Sequence, residues 1–109
     1  MNFKLTIEEA AQQLSNEAIH RFTTLMNHGS MIVEYYAPKN KDMQTPHIQD
    51  ELYIITSGTT VFNRDGKKVN CKPGDVLFVP AGMKHHFEDF SGDFATWVIF
   101  YGPDGGENK

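Results

Sequence analysis

Turn signals recur every eight to twelve residues along most of this chain, and only short strands fit between them. From about Ala18 onward the punctuation runs Asn27-His28-Gly29, Ser57-Gly58, Asp65-Gly66, Pro73-Gly74, Pro80-Ala81-Gly82 and Ser91-Gly92-Asp93. Glycine reaches backbone conformations closed to other residues, and proline fixes its own φ and cannot donate to a strand ladder. The segments left between are 22–26, 31–37, 51–56, 59–62, 68–71, 76–79, 85–90 and 94–101. Eight or so short strands at this spacing predict an all-β sandwich or small barrel. Ahead of them, Thr6-Ile7-Glu8-Glu9 is a capping box, and Ile7, Ala10, Ala11 and Leu14 follow at helical spacing. One short amphipathic N-terminal helix is therefore expected over about residues 6–15. No crossover helices, repeats or linkers occur, so residues 1–109 read as one domain. The tail Gly102-Pro103-Asp104-Gly105-Gly106 is expected to be loose.

Composition narrows the function classes. The chain has 109 residues and a formal net charge of −4, which argues against holding nucleic acid by neutralising phosphates. Its longest apolar stretches, such as Trp97-Val98-Ile99-Phe100-Tyr101, are too short to span a bilayer. Residues 1–5 run into Glu8-Glu9 without a signal-peptide core. Cys71 is the only cysteine, so no internal disulfide can form and a reduced, cytoplasmic setting is expected. Cys71 itself reads as a small apolar filler.

Among five histidines, the informative ones are His47, followed four residues later by Glu51, and the pair His85-His86. Imidazole and carboxylate together suit a first-row divalent metal, and two histidines plus one carboxylate is the facial arrangement of non-haem iron sites. On one extended strand His47 and Glu51 would stand about 13 Å apart, beyond the reach of metal bonds of about 2 Å. Shared binding therefore requires a fold-back within Ile48-Gln49-Asp50, with His47 ending one strand and Glu51 opening the next. Alternation puts His85, Phe87 and Asp89 on one face and His86, Glu88 and Phe90 on the other. Only one of the paired histidines can point into a barrel, and periodicity alone leaves the choice open. The competing reading is that such residues are surface or hydrogen-bonded groups, and that Tyr35, Tyr53, Phe78, Phe87, Phe94 and Trp97 are core aromatics. Lys67-Lys68 reads as a solvated hairpin tip, and His20 and His28 carry no signal.

These residues resemble the cupin superfamily, whose second motif is Gly, five residues, Pro-x-Gly, two residues, His, three residues, Asn. Gly74, Pro80, Gly82 and His85 match it, with Asp89 in the Asn position. The first motif has the form His-x-His, three or four residues, Glu, six residues, Gly. Here it reads Thr45, His47, Glu51 and Gly58, so the first histidine is replaced by Thr45. Gln44-Thr45-Pro46-His47 is similar to a Gln-x-Pro-His variant of that motif.

The resemblance implies a double-stranded β-helix, or jelly-roll barrel, with Tyr53, Phe78, Phe87 and Trp97 lining its interior or plugging its closed end. It selects His85 as the inward histidine, and it implies a divalent ion (Fe, Mn, Zn or Ni) held by His47, Glu51 and His85, with Gln44 or Gln49 as a fourth donor. It also implies a small-molecule ligand or substrate and a homodimer. Under the leading expectation the protein is a metal-dependent cupin of the dioxygenase, isomerase or cyclase type. The alternative is a metal-free module that binds or senses a small ligand. A third is metal-free acid–base catalysis by His47 or His85 with Tyr53 or Tyr35.

Overall fold

In the computed structural model, residues 3–17 and 21–108 are described; the strand boundary expected near Ala18 and the residue His20 lie outside them. Helix α1 (Ile7–Leu14) starts at the capping box, where the Thr6 hydroxyl oxygen accepts from the Glu9 N–H at 3.1 Å. Ala10 and Leu14 are buried against Tyr35 and Ala95, with Trp97 packed alongside. The helix thereby covers the outer face of the barrel and leaves its interior free.

Eight strands follow among the described residues: β1 (Phe22–His28), β2 (Met31–Tyr36), β3 (Asp50–Ser57), β4 (Thr60–Arg64), β5 (Lys67–Cys71), β6 (Val76–Val79), β7 (His85–Glu88) and β8 (Ala95–Tyr101). They form a five-stranded sheet in the order β1-β2-β8-β3-β6 and a three-stranded sheet in the order β5-β4-β7. The strand pairs are antiparallel, as expected for a jelly roll. The inward side chains of the two sheets meet in a core that includes Tyr53, Ile55, Phe62, Val79, Phe87, Phe94 and Val98. Tyr53 stacks edge-on against Phe62 and Phe87, with centroids at 5.8 and 4.9 Å, in the geometry that aromatic quadrupoles favour.

Turn chemistry fixes the ends of these strands. Asp65 and Gly66 have φ of 51° and 90°, both in the left-handed region that a tight hairpin of this kind requires. Asp89, in the motif's asparagine position, has φ of 48°, a conformation that Asn and Asp adopt more readily than other side chains.

Four expectations are corrected. Phe78 is 43% exposed, because β6 is an edge strand and alternation turns Val76 and Phe78 outward. Trp97 lies on the helix side of β8 rather than in the barrel. His47 does not end a strand but sits in the long loop 37–49. The tail is tied down: Gly105 N–H donates to the Ile48 carbonyl at 2.7 Å and Glu107 N–H to Asp50 Oδ2 at 2.9 Å.

Gly58, the last residue of the first motif, has φ of +75°, and a Cβ added there would lie 2.5 Å from Ser91 Oγ and 2.6 Å from Phe94 Cα. Gly58→Ala combines backbone strain with a clash against backbone, so a loss of about 2 kcal/mol is expected. Urea denaturation checks this, and an unchanged midpoint would show that the turn relaxes freely.

Candidate functional site

The two sheets are joined at the barrel mouth by a buried pair. Glu51 stands on β3 and His85 on β7, and Glu51 Oε1 lies 2.9 Å from His85 Nε2. Both side chains are almost fully buried, at 2% and 1% exposed. The fold-back at Ile48-Gln49 directs Glu51 inward, opposite Phe100 of β8 and Val79 of β6. The turn 80–84 delivers His85 to the inner face, whereas His86 turns outward to Glu88 at 2.6 Å. The open choice between the paired histidines is thus resolved by where β7 faces.

A chain of hydrogen bonds runs on from this pair. The Tyr53 hydroxyl lies 2.9 Å from His85 Nε2 and donates to Gln44 Oε1 at 2.7 Å. Gln44 Nε2 donates to Asp42 Oδ2 at 2.9 Å. Asp42 also accepts from the Tyr36 hydroxyl at 2.6 Å, from Gln44 N–H at 3.0 Å and from Phe87 N–H at 2.7 Å. Four donors on one buried carboxylate pin loop 37–49 to both sheets.

The hydrogen-bond directions along this chain bear on the charge of His85. Asp42 accepts from the Gln44 amide nitrogen, so Gln44 Oε1 faces Tyr53 and takes the phenol proton. The Tyr53 oxygen and Glu51 Oε1 are then both acceptors toward His85 Nε2, which must carry a proton. Nδ1 faces the Met83 carbonyl at 2.9 Å and must carry one too. This arrangement favours the protonated form of His85 beside Glu51. Burial opposes that charge. The hydrogen bonds to Glu51 and to the Met83 carbonyl, with the Glu51 and Asp42 charges, outweigh it and hold the His85 pKa above its ordinary value. Burial, reinforced by the Glu51 and Asp42 charges, pushes the Tyr53 phenol well above the usual tyrosine range, so it stays neutral.

The four expected ligands fall into two groups. Glu51 and His85 meet directly, and Gln44 reaches His85 through Tyr53. His47 stacks instead on Phe100, at 3.9 Å between centroids and 26° between planes. Its Nδ1 accepts the Gln49 N–H at 3.2 Å, which leaves its proton on Nε2. Gln49 turns away to the Ser30 and Gly102 carbonyls, and Thr45 is exposed. An ion needs three or four unprotonated donors converging at about 2 Å. Among the described residues, no three His, Cys, Asp or Glu side chains gather closely enough to hold one. As arranged, these donors do not converge on one point, and in this arrangement the set does not fit a resident metal.

A cavity of about 600 Å³ opens between β2, β8 and loop 37–49. Gln44, His47 and Glu51 supply polar groups to its wall, and Tyr36, Val98 and Phe100 supply an apolar surface. His85 borders a second hollow of about 470 Å³ on the β7 side of the same loop. Two cavity residues were missed in the sequence. Arg21 immediately precedes β1 and has no periodic signal, but Glu34 shares the inward face of β2 with Tyr36, and a charged residue at an inward position is a signal. Burial, with the Glu51 charge added, raises the Glu34 pKa, and a hydrogen bond from Thr24 partly offsets this.

Comparison with known proteins agrees with this architecture. Residues 32–100 match the cupin domain family, and the chain belongs to that family. An uncharacterised protein of Streptomyces coelicolor is 33% identical over 104 residues, spanning 94% of this chain and 96% of that protein. The arabinose operon regulatory protein of Salmonella typhimurium is 36% identical over 52 residues, covering 45% of this chain and 18% of that protein. The structure of a Cupin 2 conserved barrel domain protein from Salinispora arenicola superposes with a TM-score of 0.69 at 17% identity, covering 94% and 89% of the two chains. No helix among the described residues is long and apolar enough to cross a membrane.

The charge on His85 is directly measurable. In chelator-treated protein, a ring-nitrogen NMR titration is expected to show the doubly protonated ring persisting to higher pH than in the unfolded chain. Folding raises this pKa, so the stabilising contribution is complete below the unfolded value of about 6.5 and is lost as pH rises through the folded value. A ring that loses its proton below the unfolded value would contradict the assignment.

Proposed function

We propose that this cupin domain binds a small organic molecule in the cavity beside Glu51 and acts as a ligand-binding or sensing module without a resident metal ion. The observation that carries this reading is the closed chain Glu51–His85–Tyr53–Gln44–Asp42. Its groups satisfy one another, and among the described residues no buried side-chain nitrogen or oxygen lacks a partner. Recognition then falls to the cavity walls. The volume of about 600 Å³ lies within the range of small-molecule sites, as does an apolar lining with a few polar groups at one end. The short match to a sugar operon regulator supports a sensing role.

The metal-dependent reading rests on a different observation, that Gln44, His47 and Glu51 border one cavity and His85 touches Glu51. One experiment separates the two. Untagged protein is assayed for metal by elemental analysis, before and after incubation with Fe, Mn, Zn and Ni. Its melting temperature is then screened against small organic molecules with and without chelator. Sub-stoichiometric metal and a ligand shift indifferent to chelator are expected. Stoichiometric metal that disappears in His47→Ala with His85→Ala would overturn the metal-free reading and establish the other.

The same reading includes a homodimer. Val76 and Phe78 are exposed on the edge strand β6, and such an edge is commonly covered by a partner. Light scattering after gel filtration is expected to give twice the chain mass, and a monomer mass would remove this element.

A further inference from the structure

The cavity carries a charge gradient that the hydrogen-bond chain does not use. Arg21, Lys39 and Lys41 border its outer part, with Lys39 and Lys41 exposed and Arg21 half-buried. Arg21 Nε donates to the Ala37 carbonyl at 2.8 Å, which fixes the guanidinium at the rim. Among the described residues none of these three cations is in an ion pair. Two carboxylates also line the cavity, and they differ. Glu51 is engaged by His85 at 2.9 Å, whereas Glu34 has a hydroxyl partner, Thr24 at 3.2 Å, and no cation.

We propose that the ligand of this cavity is a small organic anion, with its acid group at the Arg21, Lys39 and Lys41 rim and its apolar body against Val98 and Phe100. This rests on the ligand-binding reading of the same cavity. A chain with a net charge of −4 gains nothing in solubility from gathering three unpaired cations around one opening. Placed there, they offset the field of the whole molecule for an incoming anion. A planar guanidinium held by one of its donors still presents others to a carboxylate or phosphate, with two-pronged geometry. Glu34 sets the orientation, because its charge repels the acid group from the floor and favours a donor there. A cationic ligand would meet the three like charges first.

The test is calorimetric titration of the full chain with two matched sets of probes: benzoate, benzamide and benzylamine, and butyrate, butyramide and butylamine. In at least one set the acid is expected to bind about tenfold tighter than the amide, with the advantage shrinking as salt is added. Lys39→Gln with Lys41→Gln, and separately Arg21→Gln, should remove the preference. Glu34→Gln should tighten binding of the acid, a sign that a purely structural role for Glu34 does not give. An amide or amine that binds as well as its acid in both sets, or a Glu34→Gln variant that binds the acid more weakly, overturns the charge assignment and leaves the cavity reading standing. Absence of binding by all six probes at millimolar concentration overturns both.

Discussion

The Glu51–His85 pair is the constraint around which the barrel mouth is organised. It joins one sheet to the other where side chains rather than backbone bonds must hold them together. Taking two charges out of water costs several kcal/mol per ion unless their remaining hydrogen-bonding capacity is met. Here Tyr53, the Met83 carbonyl and, one step further, Gln44 and Asp42 meet it. An apolar pair could close two sheets as tightly but would not dictate which loop lies above them. The polar chain does so, because each member accepts one neighbour in one orientation.

That specificity passes to loop 37–49. A segment of this length without strands has few backbone bonds of its own to fix its path. Asp42 substitutes for them, gathering a phenol, two groups of Gln44 and a β7 amide on one carboxylate. The loop consequently forms a wall with a hollow on each side, one reaching Glu51 and His47 and the other reaching His85. Binding surface and support are then different faces of the same segment, so ligand contacts on one side act on a structure already braced from the other.

The fold was legible because its determinants are local. Asp65-Gly66, Pro80-x-Gly82 and the Thr6 capping box each specify a backbone conformation whatever their surroundings, and all three appear where their residues predict. The inward choice of His85 over His86 needed the motif, since alternation allows either until the strand's facing is known. Other features depend on neighbours distant in sequence. Phe78 looks like a core residue until β6 proves to be an edge, and Trp97 until α1 is laid on the outside of β8. His47 matches a ligand position by spacing, yet its ring is held by Phe100 and its tautomer by an amide two residues away. Asp42 gave no signal, because a loop carboxylate has no period. Glu34 did give one, a charge on the inward face of β2, but it gained meaning only beside the rim cations.

The residues after β8 form a strap across the bend that carries His47. Gly105 holds Ile48, Glu107 holds Asp50, and Asp50 Oδ1 accepts the Ala81 N–H at 2.9 Å. The bend carrying His47 and the turn preceding His85 are therefore bound together by residues 57 positions beyond the bend. β8 stands between β2 and β3 and ends at Tyr101, so the bracing residues follow directly from the central strand of the five-stranded sheet. Seating that strand and aiming Glu51 are thereby tied to one stretch of chain, and loosening the strap would slacken the bend while leaving the ladders of both sheets intact.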